Sequence, residues 1–138
     1  MAGPQTIAQW LKLAATHEQA AKTLCEDKVA ASHALFHVGS AMECALKAMI
    51  MQRERFNSWP SRSSRPDLYT HDLRDLVQLA GVILSASAPE AASWKVVLDW
   101  DRNQSYDPKT MPRKVARAWV EAAFGEKGAA TWIRMTLA

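Results

Sequence analysis

The residues able to do chemistry gather in three places. Between 33 and 47, on what reads as one helix, His33, His37, Ser40, Glu43, Cys44 and Lys47 fall on one flank at about 100° per residue. His33 and His37 stand at i and i+4, a spacing that can chelate a metal. No HExxH run or clustered acid completes such a site, so neither metal nor cofactor is expected. Glu43 and Lys47 have ion-pair spacing, worth about 0.3 kcal/mol on a helix surface. A seam of this kind is a solvated face, a surface covered by a second copy, or the wall of a pocket. His71 reads as lying just inside the first turn of the following helix, where the dipole disfavours a protonated ring. Arg102, Tyr106 and Arg113 form the third group. Two guanidinium forks suit phosphate oxygens, and the tyrosine can stack on a base or donate its hydroxyl. There is no GxSxG elbow, and spacing places no Ser or Cys beside a histidine, so no catalytic residue is assigned.

Helical periodicity is what must position these groups. The chain has 138 residues, 49% apolar and 22% charged, which suits a single globular domain over 1–138 and excludes a disordered or collagen-like chain. Ile7, Trp10, Leu11, Ala14, Ala21 and Leu24 line one side of a helix over about 5–25. An Ala, Leu and Met-rich run over 27–56 makes the longest helix, with Ala31, Leu35, Val38, Met42, Leu46 and Met49 as its apolar stripe. NSWPSRSSRPD at 57–67 reads as an exposed loop. Thr70 is the expected cap of a third helix whose stripe is Leu73, Leu76, Val77, Ala80 and Ile83, with Asp72 in its first turn. A fourth runs from Pro89 to about Asn103 on Trp94, Val97 and Leu98, and a fifth from Pro112 on Val115, Ala118, Trp119 and Ala122. A short terminal segment with Trp132 and Ile133 follows Gly125 to Gly128. No strand pattern competes. The expected fold is all-α, an up-and-down helical bundle of four to five helices with a long second helix.

Two cysteines cannot make a disulfide framework, the start MAGPQTIAQW has no basic leader, and no stretch reads as a membrane span. A cytoplasmic protein with no membrane partner is the expectation. The net charge of +3 is uneven: residues 53–66 carry +3, residues 109–117 carry +4, and residues 67–108 carry -4. Two basic segments that converge in space would attract a phosphate-bearing partner, although short Arg-rich stretches are commonly solvated surface.

The run SHALFHVGSAMECALKAMIMQ, the Pro/Ser loop, then YTHDLRDLVQLAG and DWDRNQSYDP together resemble the HEPN family of nucleotide-binding domains. The likeness lies in Glu43, Cys44, Ala45, Leu46 and Lys47 on the second helix and in His71, Asp72 and Leu73 at the third. The resemblance implies a helical domain pairing across a two-fold axis through the second helix. Many HEPN proteins are metal-independent, toxin-like ribonucleases of toxin-antitoxin pairs that use an Arg and a His a few residues later. Here Arg102 is followed through Pro112 by no His, and Tyr106 holds the nearest place. A tyrosine titrates near pH 10, about 3.5 units above imidazole, and is no ready proton carrier at neutrality. SYDP is closer to the Arg-Tyr-Pro element of members that bind nucleotides or small nucleotidyltransferases, with Ser105 in place of the Arg. The expected function is a non-catalytic module for a nucleotide, RNA or a nucleotidyltransferase partner, as a homodimer, with Arg102, Tyr106, Arg113, Glu43, Lys47 and His71 at the phosphate site. The alternatives are a ribonuclease whose proton carrier is His71 or His37, and a ligand-free interaction subunit using Trp119 and Trp132.

Overall fold

The computed structural model describes residues 3–106 and 110–138, Ser105 and Tyr106 by their backbone alone. Among the described residues there is no strand, and the elements are α1 (Ile7–Leu24), α2 (Ala34–Glu54), α3 (Leu73–Leu79), α4 (Ala91–Leu98), α5 (Arg113–Phe124) and α6 (Ala129–Leu137). Short 3₁₀ turns lie at Ala31–His33, Pro66–Leu68 and Arg102–Tyr106. The all-α bundle expected from the periodicity is what forms, with five helices of eight residues or more and the seven-residue α3 beside them.

Helix α2 is the spine, packed by α1, α3, α5, α6 and the 102–106 turn. Its apolar stripe is buried apart from the half-buried Met49, but so are Gly39, Ala41, Cys44, Ala45, Lys47 and Ala48 on other faces. The stretch Ala31–Glu54 is long and apolar enough to cross a membrane, contrary to the reading of the sequence; its most apolar 18 residues have a mean hydropathy of 1.3, and 72% of them are buried inside the bundle. Small residues make that burial possible, since Ala and Gly let neighbouring helices approach on every side. Trp10 meets Lys47 while His17 meets His37, so α1 runs antiparallel to α2. From His37 to Lys47 the seam of α2 therefore faces α1 of the same chain, while His33 at its start is exposed.

Helix ends explain the shifts in boundary. Thr6 and Gln9 form a capping box that starts α1. Asp72, not Thr70, caps α3: its carboxylate accepts from the backbone N–H groups of Arg74 and Asp75 at 2.8 and 3.3 Å, and Thr70 Oγ1 accepts from the Asp72 N–H. That leaves His71 before the helix, not inside its first turn. The helix stops early because Gly81 takes φ 70° and closes a Schellman motif, with Gly81 N–H to the Gln78 carbonyl and Val82 N–H to that of Val77. Ile83, expected in the buried stripe, lies beyond this stop and is 91% exposed. Helix α4 ends at Leu98 rather than near Asn103. In α5 two residues of the expected stripe hold, Ala122 buried and Trp119 packed against the core, while Val115 and Ala118 are exposed and Ala116, Ala123 and Phe124 are buried instead.

The 57–67 loop is only partly exposed. Trp59 is buried and its N–H donates to the Gln5 carbonyl at 3.0 Å, and the Tyr69 hydroxyl donates to the Pro60 carbonyl at 2.6 Å. These bonds pin the loop to the start of α1, beside the base of the seam.

Candidate functional site

Trp100, just after α4, sets the site's far wall. Its ring lies against Gly39, where a Cβ would come within 2.0 Å of the indole, and its Nε1–H donates to the Leu35 carbonyl one turn earlier at 2.7 Å. Only a residue without a side chain lets the ring sit down on α2 in this way. The chain after Trp100 then turns into the Arg102–Tyr106 3₁₀ segment, which packs on α2.

Between this wall, α1 and the residue before α3 lies a cleft of about 280 Å³. Trp10 and His17 come from α1, Phe36, Ser40, Glu43 and Cys44 from α2, and His71, Trp100 and Arg102 close it. A second, shallower hollow of about 450 Å³ continues past His71, Trp100 and Arg102 towards Arg74, Asp99 and Asp101. Three of the expected site residues, Glu43, His71 and Arg102, thus line one cleft.

Glu43 holds the centre with both oxygens. Oε1 accepts from His71 Nδ1–H at 2.7 Å, since an ionised carboxylate has no proton to give, and Oε2 accepts from Lys47 Nζ at 3.0 Å. Exposure rises along this row from 6% for the Lys47 side chain to 17% for Glu43 and 53% for His71. Lys47 is the buried charged residue among those described, and its ammonium lies 5.3 Å from the Trp10 ring centre and 5.7 Å from that of Trp59. The two rings meet edge to face at 5.2 Å. Aromatic faces stabilise a cation by about 0.5–2 kcal/mol each, which offsets part of its desolvation. Lys47 is therefore beneath the site, not at the ligand surface where the sequence placed it.

Higher on the seam, His17 and His37 bring their Nδ1 atoms to 2.9 Å. One ring must donate and the other accept. Burial lowers the pKa of both; the charge of His37 lowers His17 further, against a smaller opposite effect of Glu43, and His33 lowers His37. His33 itself is exposed and faces no metal-ligand set; among the described residues no group of three His, Cys, Asp or Glu converges. The Cys44 thiol is pushed up to about 12, chiefly by burial and then by Glu43, so it is no nucleophile at neutral pH.

Arg113 does not join the cleft. Helix α5 lies against the end of α1, and Arg113 Nη1 donates to the Glu26 carbonyl at 3.4 Å. Arg117 grips the Glu26 carboxylate beside it, with Nε at 2.7 Å, and this pairing lowers the Glu26 pKa. In the other basic segment Arg65 pairs with Asp67 at 2.8 Å, whereas Arg113 and Arg117 are spent at Glu26. The Tyr106 side chain lies outside the described residues. Trp132 stacks edge to face on Trp94 at 6.0 Å within the chain, and Trp119 and Trp132 are both half-buried against the core.

Sequence reasoning missed His17, Trp10, Trp59 and Trp100 as parts of the site. Gly39, alone in an Ala-rich helix, was the available sign of a close approach. Comparison with protein-family models, with curated proteins and with solved structures finds no match for the chain.

Proposed function

We propose that the chain is a HEPN-like domain that binds a phosphate-bearing ligand, a nucleotide or the end of an RNA, at the mouth of the cleft between α1, α2 and the segment after α4. The observation that carries this reading is the convergence of His71 and Arg102 with Glu43 on one cleft, from parts of the sequence that periodicity alone does not join. Arg102 supplies the fork for phosphate oxygens, and His71, with Nδ1 committed to Glu43, keeps Nε2 for the ligand. Tyr106 keeps its role in this proposal as the base-stacking group. A nucleotidyltransferase partner, a cytoplasmic setting and a homodimer belong to the same reading, the dimer resting on the resemblance alone because the α2 seam is covered by α1.

Titration with AMP, ATP and short RNA, read by thermal shift and calorimetry, tests it. A stabilising ligand whose effect falls by tenfold or more in affinity, on the order of 1.4 kcal/mol, in Arg102→Ala supports the reading. No shift with any of them, and an Arg102→Ala protein that behaves as wild type, would remove it.

The 2.7 Å contact between His71 and Glu43 favours a second reading, metal-independent RNA cleavage with His71 as the proton carrier. RNA cut in the presence of EDTA by the wild type, and by neither Arg102→Ala nor His71→Gln, selects this reading over binding alone.

A further inference from the structure

We infer that Lys47 is a positioning and charge-balancing residue for the cleft, acting on the ligand only through Glu43 and His71; this rests on the proposed phosphate-binding role of that cleft. An i to i+4 ion pair on a helix is ordinary when exposed and costly when buried, because removing an ammonium from water takes several kcal/mol. Here the ammonium is buried between two indoles and spends a hydrogen bond on one oxygen of Glu43. Two consequences follow from that geometry.

The first is orientation. With Oε2 held by Lys47 at 3.0 Å, the carboxylate cannot rotate freely, and Oε1 is presented to His71 Nδ1 at 2.7 Å. His71 is otherwise an exposed ring ahead of α3, with no helix of its own to fix it. The bond to Glu43 selects the tautomer with the proton on Nδ1 and leaves Nε2 as an acceptor, which suits a ribose hydroxyl or base amine of a nucleotide and leaves the phosphate oxygens to Arg102. The second is charge. An uncompensated Glu43 in the cleft wall would repel phosphate, and the Lys47 ammonium beneath it cancels that charge without occupying any of the ligand's space.

The experiment compares wild type, Lys47→Met, Glu43→Gln and the double variant Lys47→Met/Glu43→Gln, using AMP as the probe. Affinity is read by calorimetry and the His71 ring by its imidazole ¹⁵N shifts. Lys47→Met should weaken AMP by about tenfold, and the double variant, which has no carboxylate left to repel, should recover the part of that loss due to charge while its His71 ring stays mixed. In wild type His71 should show one tautomer, Nδ1–H, and in Lys47→Met a mixture of two. A Lys47 that merely fills space predicts neither the recovery nor the ring signature.

Equal affinities for wild type and Lys47→Met overturn the inference, as does a double variant no better than the single one. Should Lys47→Met fail to fold, Lys47→Gln takes its place: a wild-type His71 protonated on Nε2, or a single Nδ1–H form that persists in Lys47→Gln, overturns the inference, and a form that becomes mixed supports it. If no variant and not even wild type binds AMP, the phosphate-binding reading falls, and the tautomer measurement still settles the role of Lys47.

Discussion

Gly39 shows how much one residue decides. Its missing side chain admits the Trp100 ring, and Trp100 in turn brings the segment that begins at Arg102 onto α2. In Gly39→Ala a methyl would have to occupy space within 2.0 Å of the indole, so the ring must leave and its bond to the Leu35 carbonyl must break. Overpacking and a lost hydrogen bond together should cost about 2–4 kcal/mol, against the small gain in helix propensity. Urea denaturation measures the loss, and a red-shifted, quencher-accessible tryptophan identifies its cause. The same residue marks a limit of reading by pattern. A lone glycine in a helix announces a near neighbour without saying which of six tryptophans it is. Trp10 is a similar case: counted in the stripe of α1, it also covers Lys47, and its buried indole N–H finds no hydrogen-bond partner among the described residues.

At the scale of elements, the contact between α1 and α2 carries a pH dependence. Burial first and neighbouring imidazoles second lower the pKa values of His17 and His37 below the ordinary imidazole value of 6.5. Below that value the unfolded chain binds more protons than the folded one, so stability rises with pH through the interval and is fully present above it. The groups facing the pair are Glu43, which favours the charged form of His17, and His33, which opposes that of His37. The denaturation midpoint should be flat above about pH 7 and begin to fall as the pH drops below about 6.5, before the carboxylates titrate. In His17→Gln that fall should be visibly shallower. The end of α2 offers a second test. Arg55 takes φ 56°, the left-handed conformation that closes the helix, with Phe56 N–H bonded to the Met51 carbonyl. A non-glycine residue is strained there, and Arg55→Gly should stabilise the protein by about 0.5–1 kcal/mol in urea or thermal unfolding.

Across the whole molecule, the helical class and the stripes of α1 and α2 were legible because their apolar periodicity repeats over five or more turns of helix. The ends of α3 and α4 were not, because the stop of α3 lies in the φ of Gly81 and that of α4 in the seating of Trp100. Of the site, Glu43, His71 and Arg102 were named from residue type and family likeness and do share a cleft. Lys47 was named for the wrong surface, since an i to i+4 spacing says nothing about which neighbours close over it. Arg113 failed for a longer-range reason: local charge counts ignore which helix end a basic segment docks on, and α5 spends it at the end of α1. The seating of one indole on a bare stretch of backbone also couples two distant positions in sequence space. Substitutions at 39 and 100 should be acceptable in pairs and rejected singly, so a bulkier residue at the first site would survive selection only beside a narrower one at the second, a signature that a library randomised at both codons would display.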